Sequence, residues 1–166
     1  MIINEAYELE ALNLHGLPLA GLRIDAGEND YAVHFASPNP AHGGSATVSL
    51  GSGSFHATGL LNSRFNTLKV KTKKGGIHVA FDGLSLEHTM IVHLHSCTGD
   101  ILIKLPEHIP ARITFRTVTG TATASADYFL PVDSTIYETG SYHRIDSPHI
   151  EFEVETLLGD LCLTGI

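Results

Sequence analysis

The sequence predicts an all-β chain wound as a single-stranded β-helix-like solenoid of about six or seven short coils, and three features lead there. Four segments share one pattern: an alternating strand, Thr or Ser, two residues, Gly, and a second alternating strand. Their glycines recur at intervals suited to one coil. Apolar residues fall in the same register in every copy. An antiparallel β-sandwich, with the glycine corners serving as hairpin turns, is the competing arrangement.

Along the chain, the opening stretch NEAYELEAL alternates like a strand despite its acidic residues. A faint copy of the repeat follows at Leu17 to Ile24 (LPLAGLRI), centred on Gly21. Ser37 to Pro40 (SPNP), then Ala41, His42, Gly43 and Gly44, reads as the longest exposed loop. Another faint copy, Thr47 to Ala57 (TVSLGSGSFHA), centres on Gly53. The four clear copies are Leu68 to Val79 (LKVKTKKGGIHV), Val92 to Ile103 (VHLHSCTGDILI), Ile113 to Ala124 (ITFRTVTGTATA) and Phe152 to Leu163 (FEVETLLGDLCL).

In these copies Thr72, Ser96, Thr117 and Thr156 stand three residues before Gly75, Gly99, Gly120 and Gly159. From Gly53 the intervals are 22, 24, 21 and 39 residues, the last leaving room for a degenerate coil. Because successive strand side chains face opposite sides, Val70, Leu94, Phe115 and Val154 should share one interior stack. Such a repeat cannot bury its apolar face alone, whereas stacked copies share a continuous core. Pro131 to Pro148 is a second irregular stretch, holding Asp133, Tyr137, Tyr142, His143 and Arg144 among turn residues.

The 166 residues fit one domain, residues 1–166, with 43% hydrophobic residues and 17% charged, enough apolar material for a core. A net charge of −8 argues against nucleic acid as a partner. The N-terminal MIINEAYELEAL has no basic region or long apolar run, so the sequence predicts no secretory signal and no direct membrane insertion. Two cysteines, Cys97 and Cys162, make no disulfide framework, and a reducing cytoplasmic setting is expected.

His93-Leu94-His95 is the most suggestive chemical group, since His-x-His on a strand turns two imidazoles to one face. Register opposes a metal centre: His93 shares a column with Lys69, Thr114 and Glu153, and His95 with Lys71, Arg116 and Glu155, all outward positions. A solvated face is the simpler account, and no cofactor is implied. Cys97 falls at a corner beside His95, with the two side chains expected to diverge. Ser52 lacks the Gly-x-Ser-x-Gly context of a nucleophile elbow. Lys69, Lys71, Lys73 and Lys74 with Arg64 contrast with Glu151, Glu153 and Glu155 toward the other end of the chain, an asymmetry that could drive a homo-oligomer through terminal coils. For a partner surface, Tyr137, Tyr142, His143 and Arg144 come first, because Tyr and Arg are enriched at interfaces.

The run Thr98-Gly99-Asp100-Ile101-Leu102-Ile103, with Leu105-Pro106 after it, resembles the bacterial putative-adhesin or "toastrack" domains, which also occur at the C-terminus of cell-wall-active antibiotic response proteins. Leu14, Gly16, Gly21 and Ile24 look like that family's opening, and Gly159 to Leu163 its closing strand. The resemblance implies a β-helix used for sensing or interaction, without a catalytic centre and with a protein or envelope-related partner, which allows envelope association through that partner. Members are often attached to membrane segments, and no such segment is expected from these 166 residues. The expected function is therefore a noncatalytic binding, sensing or scaffolding module. The alternatives are a metal-dependent binder or enzyme of β-barrel type using His93 and His95, and a self-assembling structural solenoid.

Overall fold

Alternation of apolar and polar residues becomes a stack of two-strand rungs in the computed structural model, which describes residues 1–4, 10–143 and 147–166. In chain order the strands are β1 (Ile2–Asn4), β2 (Glu10–Asn13), β3 (Gly21–Glu28), β4 (Tyr31–His34), β5 (Ser45–Ser52) and β6 (Phe55–Thr58). A short 3-10 turn at Leu60–Ser63 leads to β7 (Thr67–Lys74), β8 (Ile77–Ala80), β9 (Met90–Thr98) and β10 (Ile101–Leu105). Then come β11 (Ala111–Thr119), β12 (Ala122–Ala124), β13 (Phe129–Pro131), β14 (Ile136–Thr139), β15 (Ile150–Leu158) and β16 (Leu161–Gly165). The last part of NEAYELEAL is β2, while residues 5–9 lie outside the described residues.

Each rung is a long strand, a corner and a short strand. The first strands of the rungs, with β14 and β13 at the far edge, form a nine-stranded sheet in the order β1-β3-β5-β7-β9-β15-β11-β14-β13, and the second strands a seven-stranded sheet in the order β12-β16-β10-β8-β6-β4-β2. Among the described residues, pairing between rungs is parallel, so they form a β-solenoid of seven rungs and not an antiparallel sandwich. Between the two sheets lies one core of apolar side chains. Val70 pairs with Leu94, Leu94 with Val154, and Val154 with Phe115. All four are buried, each contributing roughly 1.5–3 kcal/mol through removal from water.

The rung order departs from the chain order. β15 and β16 are threaded between the rung of β9 and β10 and that of β11 and β12. The long interval before Gly159 holds no degenerate coil; it holds the antiparallel pair β13 and β14, laid along the outer edge of β11. A strand edge must pair or be covered, and this hairpin covers the first half of β11.

The Thr-x-x-Gly corner has a direct physical basis. Thr72 Oγ1 donates to the carbonyl of Gly75 at 3.0 Å, and Thr156 Oγ1 to that of Gly159 at 2.9 Å. Ser96 Oγ instead donates to the carbonyl of Gly75 in the preceding rung at 3.1 Å. Side-by-side hydroxyls therefore satisfy carbonyls that the corner turns away from the strand ladder. Gly21 is not a corner; it opens β3, and the corner of that rung is at Asn29, which adopts φ 112°.

The return segments form the third side. The stretch around Ser37 to Pro40 is less exposed than its composition suggests, because Asn39 is buried and acts as a clamp. Asn39 Oδ1 accepts from the Leu19 amide at 2.9 Å, while Nδ2 donates to the carbonyls of Leu19 and Ser63 at 2.7 and 3.0 Å. Asn62 repeats the role one coil on, donating to the carbonyl of Phe35 at 3.0 Å and accepting from the Leu84 amide at 3.1 Å.

Candidate functional site

The outer face of the large sheet carries a shallow groove of about 360 Å³ over β5, β7, β9 and β15. Inward neighbours fix its floor, since Val70, Leu94 and Val154 are buried in the core. Its walls are two cross-rung rows: Lys69, His93 and Glu153, and Lys71, His95 and Glu155. His93 Nδ1 stands 2.9 Å from Glu153 Oε2, and His95 Nδ1 stands 3.5 Å from Glu155 Oε2. Arg116, one rung further, reaches Glu155 Oε1 at 3.4 Å. The face thus runs from cations through imidazoles to carboxylates within three adjacent strands.

This placement corrects the expectation that the lysine and glutamate strands lie toward opposite ends. Insertion of β15 beside β9 brings them two rungs apart, so their charges compensate on one face. Cys97 also differs from expectation: its Sγ lies 3.7 Å from His95 Nε2. β9 continues to Thr98, so positions 95 and 97 remain on the same side of an extended strand instead of diverging at a corner.

The residues singled out between Pro131 and Pro148 are drawn into the hairpin cap. Tyr137, on β14, is half-buried and packs against the core. Tyr142 donates its hydroxyl to Glu151 Oε1 at 2.6 Å, and its ring lies edge-on to His143 and His149. The hydrogen bond to Glu151 pushes the Tyr142 hydroxyl pKa up, with burial adding to it. His143 is exposed and reaches the buried Glu138 at 2.9 Å, which Arg112 also approaches at 3.6 Å. Arg144 lies outside the described residues.

Two clusters escaped the sequence reading. On the outer face of the short-strand sheet, His56 and His78 stack edge to face with ring centroids 4.5 Å apart, beside a groove of about 190 Å³ that includes Leu102 and Lys104. Burial lowers the His78 pKa, and His56 lowers it further. The signal was present, since both follow the first inward residue after a corner: Phe55-His56 and Ile77-His78. On the return side, His42, Glu87 and His88 gather beside Arg64. Loop residues have no period-2 pattern, which hid this group.

No helix among the described residues is long and apolar enough to cross a membrane. No protein-family profile and no curated protein matches the chain. Among solved structures, the fold is similar to that of a protein from Clostridium sporogenes described as a putative cell adhesion protein, with a TM-score of 0.68 and 22% identity. The likeness covers 75% of this chain and 56% of that one, so it spans little more than half of the neighbour's length. At that identity the comparison speaks to the fold alone, a β-solenoid.

Proposed function

We propose that the chain is a noncatalytic binding or scaffolding module, similar to the toastrack or putative-adhesin class, and that it offers the outer face of its large sheet to a protein partner. The supporting observation is the mixed-charge groove, whose Lys, His and Glu side chains stand on strands held from beneath by a buried core. A rigid surface of ordered sign favours recognition by electrostatic complementarity, which steers encounter and rejects mismatched partners. The shared fold with a protein described in terms of cell adhesion points the same way. A cytoplasmic or envelope-associated partner fits this reading equally.

The test compares baits that differ only on that face. Wild-type protein, the charge-reversed Lys69→Glu/Lys71→Glu variant and a His56→Ala/His78→Ala control on the other sheet are used for quantitative affinity capture from the source cells. A partner held by wild type and control but lost by the charge-reversed bait is the expected result. Partners retained equally by all three folded baits would assign recognition to another surface.

A further inference from the structure

We propose that His42, Glu87 and His88 form a site for one divalent transition-metal ion of the zinc, nickel or copper type. One ligating atom from each lies within 4.8 Å of the others. Two imidazoles and one carboxylate are a set that holds zinc in sites retaining an open position. His42 Nδ1 already meets Glu87 Oε2 at 3.2 Å.

The fold brings these residues together by stacking return loops. His42 follows the clamp residue Asn39, and the Gly43 amide donates to the Arg64 carbonyl at 3.0 Å. The Asn66 amide then donates to the Gly44 carbonyl at 3.0 Å, and the Ile91 amide to the Asn66 carbonyl at 2.9 Å. Three successive loops are therefore in register, with separations of 22 residues from His42 to Arg64 and 23 from Arg64 to Glu87.

Arg64 is the positioning residue. Its backbone takes φ 54°, an uncommon conformation for a side-chain-bearing residue. Its Nη2 donates to Glu87 Oε1 at 2.8 Å and its Nη1 to the Asn39 carbonyl at 3.1 Å. One carboxylate oxygen is thereby held, and the other is left facing His42, the arrangement by which outer partners orient a metal ligand. Arg64 Nη1 also lies 3.3 Å from His42 Nε2, a contact that needs the proton on Nδ1. Coordination through Nδ1 moves that proton to Nε2 and releases this contact, while the two bonds from Arg64 to Glu87 and Asn39 persist.

Charge decides the class of ion. Arg64 and Glu87 cancel, so the imidazoles must supply the affinity, which suits zinc, nickel and copper and not the oxygen-seeking calcium or magnesium. Arg64, Glu87 and His88 also line a cavity of about 20 Å³ with Leu60, Phe65 and Met90. That is room for a single water, a common fourth ligand where three protein groups hold zinc.

The experiment is calorimetric titration of the metal-free 166-residue chain with Zn²⁺ alone, on wild type and on His42→Ala, Glu87→Gln and His88→Ala. One ion per chain is expected, with affinity reduced about tenfold or more in each variant. It should be retained in His93→Ala/His95→Ala and in His56→Ala/His78→Ala, since those histidines belong to other faces. Imidazole NMR of the wild type gives a readout independent of mutation: one equivalent of Zn²⁺ should shift the His42 and His88 ring signals. Absence of stoichiometric binding, shifts confined to other histidines, or loss only in the His93→Ala/His95→Ala protein would overturn the site.

Discussion

Gly99 shows how much one missing side chain sets. Its backbone adopts φ 145°, and a methyl group at its α-carbon would overlap the carbonyl of Gly75 directly beneath. Gly75 stands in the same relation to Gly53. Rungs spaced at the roughly 4.8 Å of paired strands leave no room for Cβ where the corner folds back on the one below. A Gly99→Ala substitution combines that overlap with backbone strain, and should destabilise the protein by at least about 2–3 kcal/mol. Urea unfolding of the variant measures this directly, and a loss below about 0.5 kcal/mol would show that the corner relaxes at little cost. The hydroxyls three residues before each glycine and the glycines themselves were legible from spacing. Asn29 was not, because it holds a left-handed corner without the residue that normally marks one.

At the level of strands, sequence could establish register but not order. Alternation placed Val154 in the same interior row as Leu94 and Phe115, and the pairing agrees. Nothing in a list of intervals says that β15 enters between two rungs already made, because each inward face carries the same apolar pattern and β9 could equally accept β11. The hairpin of β13 and β14 occupies the far edge of β11, which leaves β11 an inner edge for β15. β15 is thus the joint between the first five rungs and the cap. A chain ending at Pro148 should keep amide protection in β5, β7 and the short strands of those rungs, since solenoid rungs depend chiefly on neighbours. It should lose protection at Arg112, Thr114 and Arg116, which alternate with the Phe115 amide bonded to the Thr135 carbonyl of the hairpin and so face β15. Hydrogen exchange by mass spectrometry makes the comparison. Protection of β11 equal to that in the full chain would mean that β11 closes directly on β9 and that the joint is dispensable.

For the molecule as a whole, the threading of β15 decides where charge lies. Lysines near residue 70 and glutamates near residue 153 are far apart in sequence, and only the rung order puts a histidine strand alone between them. The candidate groove was half legible for that reason. Columns of outward residues followed from period 2, but not the closeness of opposite charges or the return-side cluster formed by stacked loops. Individually these surface pairs contribute little, about 0.2–1 kcal/mol each. Together they cancel what would otherwise be a cationic stripe of Lys69, Lys71 and Arg116. Glu153→Gln/Glu155→Gln removes the carboxylates while keeping their shape. The double variant should therefore lose about 0.5–1.5 kcal/mol of stability at low ionic strength, where the exposed pairs are least screened. In 1 M salt, with a screening length of about 3 Å, most of that difference should vanish. Paired thermal or denaturant melts at the two ionic strengths provide the measurement. A deficit unchanged by salt would assign the effect of these glutamates to packing, and an absence of any deficit would mean that the lysines and histidines of the face are satisfied by solvent alone.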